Sequence, residues 1–233
     1  MPTSLDQTCR WHAIADASTL YRAVAAQCLA AERRALAARG RFVVVLAGGA
    51  TPRGAYELLR HAAANWSAWH VYFGDERCAP AANPERNSRM AEAAWLDHVA
   101  IPRAQIHEIA ADLGPIEAAR RYANLLDAVG RFDLVLLGLG EDGHTGSLFP
   151  GRDLGAGASA PSALPVFDAP KPPAERVTLS ARRFSDTAQA VFLVFGAGKR
   201  AAIARWRAGE EIPARVVVPR AGVDVFLGAE LLA

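Results

Sequence analysis

The chain has 233 residues, 52% hydrophobic and 21% charged, with a formal net charge of +2. That balance suits one globular domain spanning 1–233, with a core large enough to need no disulfide or structural metal. The charge is too small and too scattered for a nucleic-acid surface, and no apolar run approaches the roughly 18 residues of a membrane helix.

The three cysteines, Cys9, Cys28 and Cys78, are odd in number and lack CxxC spacing, so they read as reduced thiols. The opening MPTSLDQTCRWH lacks the basic-then-apolar pattern of a secretory signal, and a cytoplasmic location is expected.

In chain order, residues 16 to 39 are rich in Ala, Leu, Glu and Arg and predict a helix. Asp16 or Ser18 can cap it and Gly40 can end it. The 41 residues before the first strand read as this helix with a short lead-in. Residues 42 to 46 form a β-branched apolar run, as expected of a strand covered on both faces. Thr51 then stands at an N-cap position and Pro52 at the first position of a second helix, which runs through Leu59.

WHVYF (69 to 73) predicts a strand, with GDERCAP as its loop. Residues 85 to 96 and 115 to 129 predict helices, and a short strand is expected near 106 to 109. Residues 132 to 137 predict a central buried strand that ends in a glycine-rich loop. The stretch from 151 to 175 is too broken by proline for a helix and reads as a long surface loop. Strands are expected at 176 to 180, 190 to 196, 215 to 218 and 223 to 227, with a helix over 199 to 207.

Strands alternating with helices predict an α/β fold, with a mainly parallel sheet and helices on both faces. Ligands gather at the carboxyl ends of such strands. Three polar, glycine-containing segments fall there: 47 to 52, 74 to 78 and 138 to 147.

In the first, AGGATP, Gly48 and Gly49 let backbone N–H groups approach an anion beside a helix start near Thr51. A bare strand-to-helix turn would use the same residues. In the second, Asp75 and Arg77 alternate on a strand end and so face one side. Arg77 can grip a phosphate or carboxylate with two hydrogen bonds, although acid and base at a turn are often only a solvated cluster.

The third, GLGEDGHTGS, satisfies the G-x-G-x-x-G dinucleotide fingerprint. That fingerprint needs a helix at once, and here Pro150 and a Gly/Pro-rich loop follow instead. His144 beside Asp142 is the better focus, since histidine can take a proton near neutral pH. The pair is a weak metal site with no third ligand at a recognisable spacing. Ser147 lies outside any nucleophile elbow and is a minor alternative.

In GAGKRAAI, Lys199 follows a strand-ending Gly-x-Gly and can reach a phosphate as a point charge. Asn87, Arg86 and Lys171 are weaker polar candidates from loops.

Five blocks in this order resemble the 6-phosphogluconolactonase family of the glucosamine-6-phosphate isomerase-like superfamily. They are LAGGATPRGAYELL, VYFGDERCAP with the later Asn87, FDLVLLGLGEDGHTGSLFPG, KPPAERVTLS and VFGAGKRAAI. The resemblance implies a Rossmann-like parallel sheet and a hydrolase with no metal and no cofactor. Its substrate would be a small sugar phosphate, 6-phospho-D-glucono-1,5-lactone, opened to 6-phosphogluconate in the oxidative pentose phosphate pathway. From charge and hydropathy no nucleic-acid or membrane partner is expected, and a monomer or small homo-oligomer is expected.

Carried over by position, His144 is the base with Asp142 beside it. Arg77 and Lys199 hold the phosphate, assisted by Gly48, Gly49 and Thr51, while Asp75 and Asn87 line the sugar site. Departures from the family pattern fall at Arg86, Ser88, Glu141, Gly146 and Gly228, and Arg86 is a candidate for a further phosphate contact.

The resemblance extends to glucosamine-6-phosphate deaminases. Their pattern has Tyr where Arg77 stands and a ring-opening Glu where Phe149 stands. A phenylalanine cannot transfer protons, which favours the lactonase. A binding protein without catalysis, as in some sugar-phosphate-sensing regulators, is the remaining alternative.

Overall fold

The computed structural model describes residues 7–232. MPTSLD, part of the stretch read above for a signal, lies outside them. Strand β1 (Cys9–Ile14) is followed by helix α1 (Ala17–Arg39) and strand β2 (Phe42–Leu46). Asp16 caps α1, its carboxylate accepting from Thr19 N at 2.8 Å. Gly40 ends the helix at φ 69°, where its N–H reaches the Leu36 carbonyl at 2.9 Å.

Helix α2 (Ala50–Leu59), strand β3 (Trp69–Phe73), strand β4 (Asp75–Arg77) and helix α3 (Asn87–Ala94) come next. They lead to β5 (Ile106–His107), α4 (Pro115–Asp127) and β6 (Leu134–Gly138). The chain continues through β7 (Ala163–Val166), β8 (Arg176–Leu179), α5 (Ala181–Ser185) and β9 (Ala190–Val194). It closes with α6 (Arg200–Arg207) and β10 (Val223–Gly228).

Seven strands make one sheet in the order β1-β10-β9-β6-β2-β3-β5, and every pairing in it is parallel. Its inner strands β2 and β9 are buried along their whole length, as their unbroken apolar sequences require. Trp69 faces α1, where its indole N–H donates to Glu32 at 2.9 Å. Tyr72, three residues on, points to the opposite face and packs near Phe132, over which the Arg183 guanidinium of α5 lies at 3.8 Å. Helices thus cover both faces, and the fold is α/β.

Five expectations are corrected. Residues 9 to 14 are an edge strand, so the chain before β2 is more than a helix with a lead-in. GDERCAP is not all loop, because β4 pairs antiparallel with β8. The proline-rich stretch contains β7, which pairs with β8 and completes a second sheet in the order β4-β8-β7. Its Pro165 is tolerated on this edge strand.

Residues 215 to 218 are not a strand. Pro213–Val216 is a 3-10 turn whose backbone serves the glycine-rich loop after β6 instead: Ala214 N donates to Gly143 O at 3.0 Å. At α2 the N-cap is Gly49, with φ 108°, which places Thr51 inside the helix.

Candidate active site

Strand order reverses direction between β6 and β2. After β2 the chain moves to β3 on one side; after β6 it moves to β9 on the other. A crevice opens at the carboxyl ends of strands at such a switch point. A cavity of about 570 Å³ lies there, lined in part by residues of β4 and by residues that follow β2, β3 and β6.

The loop after β6 is a tight, bonded turn. Gly140 N donates to His144 O at 2.7 Å, Gly143 N to Gly140 O at 3.1 Å, and Thr145 Oγ1 to Gly138 O at 2.8 Å. Gly143 takes φ 89°, a conformation that only glycine adopts freely. Arg205 donates to the Asp142 carbonyl from outside at 3.2 Å.

The turn brings His144 Nδ1 to 2.6 Å from Asp142 Oδ1, and the same oxygen accepts from His144 N at 3.1 Å. Burial raises the Asp142 carboxyl. The His144 backbone N–H, the imidazole charge and its hydrogen bond more than offset that, and the group lies below its ordinary value. With Nδ1 engaged by Asp142, the other ring nitrogen, Nε2, has no protein hydrogen-bond partner among the described residues, and His144 lines the cavity. The Phe149 ring backs the imidazole at a centroid distance of 4.8 Å.

Asp75 stands in the wall with both carboxylate oxygens engaged. Asn87 Nδ2 donates to one at 2.9 Å and Ser147 Oγ to the other at 2.6 Å. Ser147 is buried and its hydroxyl is committed to Asp75, so the structure does not present it as a nucleophile. Asn87 closes against Gly48, where a Cβ would lie 1.9 Å from Asn87 Oδ1. One chain of contacts therefore joins the loops after β2, β3 and β6.

Arg77 and Lys199 line the same cavity, and neither has an ion-pair partner among the described residues. Lys171 enters from the proline-rich strap and lies 4.0 Å from Glu141. Of the positions read from sequence, Gly48, Gly49, Asp75, Arg77, Asn87, Asp142, His144 and Lys199 are brought together. Thr51 is not among the lining residues.

Arg86 does not reach the cavity as a phosphate contact. It is buried beside Glu76, 3.5 Å from that carboxylate, and donates to Ile109 O at 2.7 Å. The sequence reading missed Arg176, a buried guanidinium in the cavity wall. Its signal was a lone arginine opening a strand beside a Pro-Pro pair, which by itself suggests only a strand start.

Fold and site define an α/β protein with a histidine–carboxylate pair at the switch point of a parallel sheet, facing cations without acid partners. The family model described as glucosamine-6-phosphate isomerases/6-phosphogluconolactonase matches residues 15–226. A 6-phosphogluconolactonase of Synechocystis is 38% identical over 205 residues, covering 80% of this chain and 82% of its own. That of Mycobacterium tuberculosis is 36% identical over 224 residues, covering 89% and 88%.

The crystal structure of a 6-phosphogluconolactonase from Thermotoga maritima superposes with a TM-score of 0.86 at 26% identity, covering 95% of this chain and 100% of that one. A monomeric glucosamine-6-phosphate deaminase gives a TM-score of 0.83 at 19% identity, covering 96% and 98%, a likeness of fold alone. The chain belongs to the glucosamine-6-phosphate isomerase/6-phosphogluconolactonase family.

Proposed function

We propose that this chain opens 6-phospho-D-glucono-1,5-lactone to 6-phospho-D-gluconate, with His144 as the general base. The observation that carries the reading is the Asp142–His144 pair, set in a cavity where Arg77 and Lys199 have no acid partner. A lactone is an ester. His144 Nε2 takes a proton from water as the oxygen attacks the carbonyl carbon. Asp142 holds the ring orientation and stabilises the imidazolium. The tetrahedral oxyanion then collapses, the ring C–O bond breaks, and the leaving oxygen takes the proton from His144.

A positioned base of this kind contributes about 10² to 10⁴ in rate. Arg77 and Lys199 meet the phosphate, which carries about −1.5 to −2 charges, and its binding energy orients the distant carbonyl. Asp75 and Asn87 face the sugar hydroxyls, while Gly48 and Gly49 let the backbone approach. Phe149 supplies no proton where an amino-sugar isomerase would need one.

The test is acid release at neutral pH from the lactone made in situ, run beside ammonia release from glucosamine 6-phosphate. Acid above the spontaneous rate without ammonia supports the lactonase; ammonia would replace it with the deaminase. No acid release, with retained 6-phosphogluconate binding, would leave a binding protein. The same proposal places the chain in the oxidative pentose phosphate pathway, in the cytoplasm, as one domain that is a monomer or small homo-oligomer. Sedimentation of the purified chain and cell fractionation test the last points.

A further inference from the structure

Leu148 and Phe149 are both buried, yet they serve different surroundings. Leu148 joins the hydrophobic core. Among the described residues, Phe149 is the one buried apolar side chain that does not. A buried phenylalanine ordinarily belongs to a core, so the burial of this one has another cause. Its ring lines the cavity instead.

The neighbours of the ring supply that cause. The turn after His144 is closed by Leu148 N donating to Thr145 O at 3.0 Å, and it returns the chain so that Phe149 stands beside the imidazole. The two ring centroids are 4.8 Å apart, with planes tilted by 51°. The Arg176 guanidinium carbon lies over the same phenyl ring, 5.8 Å from its centroid. Arg176 is itself fixed to the strap: Nε donates to Pro173 O at 3.1 Å and Nη2 to Lys171 O at 2.8 Å. One phenyl ring therefore meets both the base and an anchored side chain of the wall.

His144 needs such a contact. Its bond to Asp142, 2.6 Å at Nδ1, sets one ring atom. The last torsion of a histidine is broad, so a single hydrogen bond leaves the plane free to tilt about that atom. Packing has to fix the plane, and the aromatic partner the imidazole has here is Phe149. Gly140 closes on the same ring, since a Cβ there would lie 2.0 Å from Nδ1.

We propose that Phe149 is a positioning residue for the general base. Its ring fixes the imidazole plane, and so holds Nε2 on the line of attack instead of letting it swing about the bond to Asp142. Arg176 and the strap hold the phenyl ring in turn. The proposal rests on the lactonase reading above. A base that wanders by about 1 Å can lose about 10²-fold in rate, so the contact bears on turnover and little on substrate affinity.

The experiment compares Phe149→Leu, Phe149→Val and Phe149→Ala with the parent on 6-phosphogluconolactone. kcat should fall stepwise along that series, by about tenfold or more in Phe149→Ala, while KM changes little. Phe149→Leu, which refills the space beside the imidazole, should lose least. A loss confined to KM, or a kcat that ignores the series, would overturn the proposal. Because Phe149 lies outside the core, each variant should stay folded, which Tm checks. Should Phe149→Ala not fold, Phe149→Val carries the same comparison.

A second reading needs no turnover: carbon-13 relaxation at Cε1 of His144, which reports motion of the imidazole plane. The order parameter should drop in Phe149→Val and Phe149→Ala and recover in Phe149→Leu. An unchanged value in the smaller variants overturns the positioning role. If the parent does not hydrolyse the lactone, the lactonase reading fails, and ring mobility alone decides whether Phe149 holds His144.

Discussion

His144 Nδ1 lies 2.6 Å from Asp142 Oδ1, so the acid fixes which ring nitrogen faces the cavity. His144→Ala should lower kcat by about 10² to 10⁴ while leaving product affinity nearly unchanged. Asp142→Asn should fall in the same range for another reason. An amide N–H facing Nδ1 favours the tautomer that carries its proton on Nε2, which removes the lone pair that accepts from water. Stopped-flow acid release with the spontaneous rate subtracted measures both, and near-parental turnover in either variant would end the base assignment.

Gly140 tests the same pair without touching either partner. A Cβ there would lie 2.0 Å from His144 Nδ1, while the backbone at Gly140 is one that alanine accepts. Gly140→Ala should therefore drive the imidazole off Asp142 and cost about 10²-fold or more in kcat, as loss of the base does. Its Tm should change little beside that loss. A fully active Gly140→Ala enzyme would show that the ring position seen here is not the working one.

Glu76 supports the site from behind. Its carboxylate accepts from Asn87 N at 2.7 Å, Ser88 N at 2.8 Å and Arg77 N at 2.9 Å, and so caps α3 with a buried charge. Arg86, equally buried, has Glu76 at 3.5 Å as its buried counter-charge, with the exposed Asp112 at 3.9 Å beside it. Glu76→Ala leaves that guanidinium only the exposed Asp112 and should cost about 3 to 5 kcal/mol, or about 6 to 20 °C in Tm for a domain of this size. Thermal unfolding of Glu76→Ala beside Glu76→Gln checks this, and a loss in Glu76→Ala no larger than in Glu76→Gln would count against it.

Much of this was legible because local chemistry and fold agree. Phe42–Leu46 is apolar throughout and becomes a strand buried on both faces. The glycines around Asp142 and His144 announce a turn that other residues could not make. What escaped was decided by distant partners. Arg10 and His12 disguise β1 as polar lead-in, and only Asp224 on β10, 2.8 Å from each, makes them edge-strand residues. The run at 215 to 218 reads as a strand, yet its neighbour Ala214 bonds the glycine-rich loop after β6 instead of a strand ladder. Arg176 gave no signal of its own, since only the folded chain brings it into the cavity wall.

The last prediction concerns acid. His70 and His107 stack with ring centroids 6.0 Å apart and planes 7° apart, and His107 also stacks on Tyr72 at 4.3 Å. Burial lowers both imidazoles from their ordinary value; Arg41 adds to this at His70, and His70 adds to it at His107. In the unfolded chain each histidine titrates near about 6.5. The folded state therefore binds these protons less readily than the unfolded one. Stability is fully present above that pH and is lost as the pH falls through the lower folded values. Tm should decline from pH 7 toward pH 5, and His107→Gln should flatten the decline by removing one titrating ring. Differential scanning calorimetry across that range decides it: parallel Tm–pH curves for parent and variant would rule out the histidine stack as the source of the loss.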